Sequence, residues 1–158
     1  MKSPKPCEYR RTVEIDAPIE QVFAFHADPR NVSKISPSWQ VVEVRQAAPA
    51  QVGGEFEIVV KFFGVLPLRW RGIWREVAAP GLLVDEALQS PFTYWRHRHE
   101  FEQIDARKTR MIDHVSYGFP GGWLGKILGE TAGRLQFVVM FADRQARTRR
   151  WLEEHAPR

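Results

Sequence analysis

From Trp39 to Gly118 apolar and polar residues alternate with a period of two, and beyond Phe119-Pro120-Gly121-Gly122 the period becomes three to four as far as about Leu152. The first pattern marks half-buried strands, the second an amphipathic helix. Strands are predicted over 39–45, 55–63, 68–78, 82–88, 93–103 and 109–118. The breaks between them carry turn chemistry: Gly53-Gly54, Gly64 with Pro67, Pro80-Gly81, Ser90-Pro91, and the polar run from Asp105 to Lys108. Connections this short join antiparallel neighbours, so the pattern describes a meander and not a set of βαβ units. In the long helix, Leu124, Ile127, Leu128, Leu135, Val138, Phe141 and Ala142 recur at three and four. These residues are expected to form the face laid on the sheet.

Upstream, Glu8 to Ile15 reads as a further strand, stopped by Asp16-Ala17-Pro18, which also starts a helix. Val22, Phe23 and Phe25 give that helix its apolar side. Asp28-Pro29-Arg30-Asn31 breaks it and opens a second short helix, ended near Ser36-Pro37. The order is one strand, two short helices, six strands and one long helix, an α+β class.

At 158 residues, 44% hydrophobic and 27% charged, the chain has globular composition and the length of a single domain, 1–158, with 1–6 and 153–158 expected to be loose. The net charge of +4 is mild. Arg144, Arg147, Arg149 and Arg150 read as the solvated end of a helix, so no nucleic-acid partner is expected. Cys7 is the only cysteine, which excludes a disulfide framework and a cysteine zinc site. The first ten residues carry no apolar signal-like core, and no apolar run is long enough to span a bilayer. A cytoplasmic protein without an integral membrane segment is expected.

Hairpin geometry assigns the faces, because residues opposite one another on paired strands point the same way. Trp70 and Trp74 alternate with Arg69, Arg71 and Arg75, so the tryptophans face inward. Carrying that register across the next strands places Trp70, Trp74, Val84, Glu86, Leu88, Trp95, His97, His99, Phe101, Met111, Asp113, Val115 and Tyr117 inside. Arg69, Arg71, Arg75, Arg96, Arg98, Glu100 and Glu102 form the solvent face. A bulge would shift the assignment by one residue. The inner face thus holds four ionisable groups, Glu86, His97, His99 and Asp113, and unpaired burial of each would cost several kcal/mol. They must pair with one another, meet water in a cavity, or address a ligand.

A carboxylate beside a histidine can fix the ring's tautomer and make a general acid/base, so His97, His99, Glu86 and Asp113 are the candidate catalytic residues. The plainer reading is a hydrogen-bonded polar layer that shapes the cavity. His97 and His99 with Asp113 or Glu86 resemble a two-histidine, one-carboxylate set, but no HExxH or CxxC motif supports it, and neither a metal nor a cofactor is expected. His26 ends the first helix, where capping of the last carbonyls is the simpler role. Gly121, Gly125, Gly129 and Gly133 recur every four residues along the long helix. They mark either close approach to the sheet or room for a ligand. Three connections, 63–67, 89–92 and 119–122, fall at one end of the meander. They bring Phe62, Phe63, Val65, Leu66, Phe92, Phe119 and Trp123 together, and Phe63, Leu66, Phe92, Phe119 and Trp123 are assigned to a cavity mouth.

The segments IDAPIEQVFAFHADPRNVSKISP, RWRGIWREVAAPGLLVDE, FTYWRHRHEFE and TRMIDHVSYGFPGG, spread from about Tyr9 to Trp151, resemble the START/Bet v 1-like (SRPBCC) superfamily, in particular its bacterial polyketide cyclase/dehydrase-like branch. That resemblance implies a helix-grip fold: a curved seven-stranded antiparallel sheet around a long C-terminal helix, over a cavity. It implies binding of a small hydrophobic ligand, lipid-like, aromatic or polyketide-like. Trp70, Trp74, Val84, Leu88, Trp95, Phe101, Met111, Val115 and Tyr117 would contact it. The alternatives are a cyclase or dehydratase using a cavity histidine, and a protein- or membrane-contact module using the apolar rim. The oligomeric state stays open, a dimer included.

Overall fold

The computed structural model describes residues 5–156, apart from the side chain of Phe62. Residues 1–4 and 157–158, part of the ends expected to be loose, lie outside the described residues. Seven strands, β1 (Cys7–Ile15), β2 (Gln40–Ala47), β3 (Glu55–Phe62), β4 (Leu66–Ala78), β5 (Leu82–Gln89), β6 (Tyr94–Asp105) and β7 (Lys108–Gly118), form one curved antiparallel sheet. Its spatial order is β1-β7-β6-β5-β4-β3-β2. The meander is therefore continuous from β2 to β7, and β1 closes the far edge on β7. Between β1 and β2 lie α1 (Ile19–His26), a 3₁₀ turn (Pro29–Asn31) and α2 (Val32–Ile35). Pro18 occupies the N-cap of α1, and Asp28 caps the 3₁₀ turn by accepting from the Arg30 backbone N–H at 3.0 Å. The C-terminal helix runs through α3 (Gly122–Leu128), a π turn (Gly129–Gly133) and α4 (Arg134–Glu154). Residues 153 and 154 continue α4, and Glu153 accepts from the Asp16 backbone N–H at 3.1 Å.

The register departs from the expected one at a single strand. On β4 a bulge lies between Trp74, opposite Asp85, and Glu76, opposite Val84, leaving Arg75 as the extra residue. One inserted residue exchanges the two faces of the partner strand. Leu83, Asp85 and Ala87 therefore share the inner face with Trp74 and Gly72, whereas Val84 and Glu86 share the outer face with Glu76 and Arg98, and Leu88 is itself the extra residue at a second bulge, between Ala87 opposite Gly72 and Gln89 opposite Arg71. The assignment of Val84, Glu86 and Leu88 to the interior is thus corrected. Val84 is buried, but on the outer side opposite Arg98; Leu88 is exposed. Glu86 receives Arg75 at 2.6 Å and Arg96 at 2.9 Å among the outer-face ion pairs. Pairing resumes as expected at β6 and β7, with His99 opposite Asp113 and Phe101 opposite Met111.

The helix contacts the sheet through a different stripe from the one its large apolar residues suggest. Buried positions are Gly125, Gly129, Gly133, Phe137, Phe141, Gln145, Thr148 and Leu152. Leu124, Ile127, Leu128, Leu135 and Val138 are exposed. The cause is close approach. A Cβ on Gly129 would stand 3.0 Å from Cys7 Sγ and from Phe119 Cδ2, and one on Gly133 would stand 2.7 Å from Phe119 Cε2. The Tyr117 hydroxyl donates to the Gly129 carbonyl at 2.9 Å. Only glycine lets the backbone sit this near the sheet.

The interior divides into three layers that repeat on each element. Trp95, Val115, Tyr117, Tyr9, Phe137 and Phe141 pack in one apolar cluster. Phe101, Met111, Leu83, Ile15, Trp74 and Leu152 pack in another. Between them, one step along each element, lie His97 and His99 on β6, Asp113 on β7, Asp85 on β5, Arg11 on β1, and Arg144 and Gln145 on α4.

Candidate functional site

The polar layer is a connected network. Asp113 Oδ1 accepts from His97 Nε2 at 3.0 Å and from His99 Nδ1 at 2.9 Å, while its Oδ2 accepts from Gln145 Nε2 at 2.7 Å. Gln145 Oε1 in turn accepts from Arg11 Nε at 3.1 Å. On the other side His99 Nε2 stands 3.7 Å from Asp85 Oδ2. The two imidazole centroids are 3.8 Å apart, and His26 at the end of α1 lies 5.6 Å from His99.

Proton positions follow from the partners. A carboxylate and a carbonyl oxygen can only accept. His97 therefore carries its proton on Nε2, and His26, whose Nδ1 donates to the Val22 carbonyl at 2.7 Å, carries its proton on Nδ1. Burial, reinforced by the neighbouring His99, lowers His97 and drives His26 down to about 3. Both rings are neutral at pH 7, which leaves His97 Nδ1 and His26 Nε2 as bare lone pairs. Burial opposes charge on His99 as well, but the hydrogen bond to Asp113 and the nearby Asp85 carboxylate outweigh it and raise its pKa. Asp113 also resists the upward pull of burial, because both histidines hold its carboxyl well below the usual range. Asp113 thus grips two rings of unequal basicity, with His99 the one that takes up a second proton more readily. Gln145 was not anticipated from the sequence, although its step of four from Phe141 and its polarity in a buried stripe were available signals.

This network forms part of the wall of a cavity of about 300 Å³ between the sheet, the α1–α2 segment and α4. Trp70, Trp74, Trp95, His97 and His99 line it, as do Phe92 and Phe119 from the mouth set. Phe92 is the hub of that end, with ring centroids 5.8 Å from Trp70, 5.1 Å from Trp95, 5.0 Å from Phe119 and 6.0 Å from Phe137. Asp113 stands behind the histidines, outside the lining. Phe101, Met111, Val115 and Tyr117 face inward but are consumed by the two packed clusters. Phe63, Leu66 and Trp123 do not line the cavity; they are 78%, 57% and 68% exposed. Glu86 is remote from it, on the outer face, and Asp85 takes the place the sequence reading gave to Glu86. Ile58, Val60 and Leu68 complete the apolar wall. The face assignment from Trp70 runs forward along the meander and does not reach back to β3, where the alternation of Glu55, Glu57 and Lys61 with Phe56, Ile58 and Val60 is the signal that marks them.

Asp85, His97 and His99 each offer a ligand atom within 4.8 Å of the others, so they are the described residues most suited to a cation. The Arg144 guanidinium, which acts electrostatically on Asp113 and Asp85, already places positive charge there. Chemically, the arrangement offers a neutral imidazole in His97 as base, a more basic imidazole in His99 and a guanidinium as a donor to developing negative charge.

Residues 15–137 match the family described as polyketide cyclase/dehydrase and lipid transport. The uncharacterized Mycobacterium tuberculosis protein MT0096 is 34% identical over 119 residues, which are 73% of this chain and 50% of that protein. The chain thus spans about half the length of the curated relatives it matches. Among solved structures, protein CV1439 from Chromobacterium violaceum superposes with a TM-score of 0.74 at 14% identity, over 92% of this chain and 96% of that one. The Zhui aromatase/cyclase from Streptomyces sp. R1128 gives 0.66 at 15% identity, over 96% and 99%. Likeness at such identities concerns the fold. Among the described residues, no helix is long and apolar enough to cross a membrane. With its sheet, its C-terminal helix and the match over residues 15–137, the chain belongs to the polyketide cyclase/dehydrase and lipid transport family, within the START/Bet v 1-like helix-grip superfamily.

Proposed function

We propose that the protein binds a small hydrophobic molecule, lipid-like, aromatic or polyketide-like, in the cavity beneath α4. The observation that carries this reading is the cavity itself. About 300 Å³ is left open between tryptophan, phenylalanine and aliphatic walls, with Asp85, His97, His99 and Arg144 gathered in one layer and a few further polar groups, among them Asn31, Gln40 and Gln136, elsewhere on the wall. Small-molecule sites have this composition: an apolar lining for affinity and a few convergent polar groups for orientation. The test is fluorescence titration with N-phenyl-1-naphthylamine, a neutral dye that brightens in apolar surroundings. Saturable binding is expected for the wild type. Val60→Trp, which fills the cavity from β3, is expected to weaken it at least about tenfold, or about 1.4 kcal/mol. Equal binding by the two proteins would refute the reading.

The histidine pair favours a second reading, a cyclase or dehydratase. His97 Nδ1 is a bare lone pair beside the more basic His99 ring, so one ring could take a proton as the other, once protonated, gives one. His97→Gln should then abolish turnover of a poly-β-keto thioester and leave dye binding intact; retained turnover would exclude it. A third reading, a contact module, draws on the exposed Phe63, Val65, Leu66 and Trp123. It requires liposome binding or self-association that is lost in Phe63→Ser/Leu66→Ser.

A further inference from the structure

Among the described residues Arg144 is the one arginine that lines the cavity, and the hydrogen-bonded network does not include it. It projects from α4 one residue before Gln145, on the helix wall opposite Asp85 and His99. Among the described residues, no carboxylate lies within 4.0 Å of its guanidinium, whose Cζ stands 6.0 Å from the centroid of the Phe141 ring. The outer face is built differently. Arg69, Arg71, Arg75, Arg96, Arg98 and Arg110 all have carboxylate partners at 2.6–3.4 Å. Arg144 is half-buried at the cavity wall, and a guanidinium drawn partly out of water without a carboxylate is left with unmet charge and donors that an anionic group could complete.

Two further observations indicate what that is. The first is charge. Both carboxylates of the layer are engaged elsewhere, Asp113 by His97, His99 and Gln145 and Asp85 facing His99, so neither neutralises Arg144 through an ion pair. The second is the course of the wall away from Arg144. Met140, Gln136 and Phe137 follow it at steps of four and three back along α4, towards Phe92 and Phe119. A molecule whose head lies at Arg144 would extend its body along an almost wholly apolar path.

We propose that the ligand is an amphipathic acid, whose anionic oxygen group pairs with Arg144 while its apolar body lies along Met140 and Phe137 towards Phe92. This rests on the cavity-binding function and adds the class of head group. Arginine suits the role because its planar fork can hold two oxygens of one carboxylate or sulfonate at once.

A matched pair of dyes tests it: 8-anilino-1-naphthalenesulfonate, and N-phenyl-1-naphthylamine, the same ring system without the sulfonate. The anionic dye is expected to bind the wild-type protein more tightly. Arg144→Met should weaken the anionic dye about tenfold or more, equivalent to about 1.4 kcal/mol, and change the neutral dye less than about twofold. Arg144→Lys should recover part of the preference, and Arg150→Gln, exposed on the same helix, should leave it intact. Circular dichroism of each variant establishes that the fold persists; if Arg144→Met unfolds, the Lys variant and the wild-type preference carry the test. Equal wild-type affinity for the two dyes, or an equal loss of both in Arg144→Met, would overturn the assignment and leave the cavity reading standing. Failure of both dyes to bind the wild type would overturn the two together.

Discussion

Asp113 is the residue on which most of the polar layer depends, since its two oxygens accept from His97, His99 and Gln145. Its removal leaves two buried rings and an amide without an acceptor, a loss of the kind that costs about 3–5 kcal/mol. Asp113→Ala should therefore lower the free energy of unfolding by that order in a denaturant titration. Glu86→Ala, which breaks only the outer-face pairs with Arg75 and Arg96, should cost under about 1 kcal/mol. Similar losses in both would mean that the bulge at Arg75 is misplaced. The histidines give the layer its pH dependence. His26 is held near 3 in the fold against an ordinary 6.5, and His97 is lowered as well. As pH falls below about 6.5 the unfolded chain takes up protons that the folded chain refuses, and stability drops by about 1.4 kcal/mol per pH unit for each such group. His99 acts in the other direction. Its raised pKa gives stability that is complete below the unfolded value and is lost as pH rises through the folded one. Unfolding followed from pH 6.5 to 4.5 should thus show declining stability, with a slope about one proton smaller in His26→Gln. An unchanged slope in that variant would mean that His26 is not held neutral.

The elements differ in how much of their placement the sequence discloses. Strands and turns are legible because Trp70-Gly72-Trp74 against Arg69-Arg71-Arg75, and His97-His99-Phe101 against Arg96-Arg98-Glu100, alternate without ambiguity. β5 is not legible. Leu82-Leu83-Val84 is apolar on both faces and Asp85-Glu86 acidic on both, so the strand carries no alternation to reveal the Arg75 bulge, and its register passed to the wrong face. The long helix misleads for another reason. Burial there is decided by backbone approach, so glycine marks the inner stripe and leucine the outer. Gly133→Ala places a methyl 2.7 Å from the Phe119 ring and should destabilise by about 1–3 kcal/mol. The same substitution elsewhere in a helix would gain stability, about 1 kcal/mol on intrinsic propensity. A stabilised Gly133→Ala in thermal unfolding would mean that the helix does not pack as closely as described.

At the scale of the molecule, the sheet, the α1–α2 segment and α4 could close on a continuous core, and they do not. Aromatic side chains that could fill the centre are drawn into the two clusters on either side of the polar layer, and the space left between sheet and helix is the cavity. The family fold was legible from the order of elements and the segments that carry the resemblance. The cavity's composition was legible only in part, because the sequence shows which residues face inward but not which of them pack against each other and which remain beside open space. Phe101 and Tyr117 face inward as fully as Trp95, yet only Trp95 meets the cavity. The most direct test of a ligand-holding cavity is native mass spectrometry of the freshly purified protein, compared with the cavity-filled Val60→Trp variant. The account predicts a non-covalent adduct of small-molecule mass on the wild type that is absent from the variant. A wild-type spectrum of the bare chain alone, unchanged after incubation with N-phenyl-1-naphthylamine, would contradict it.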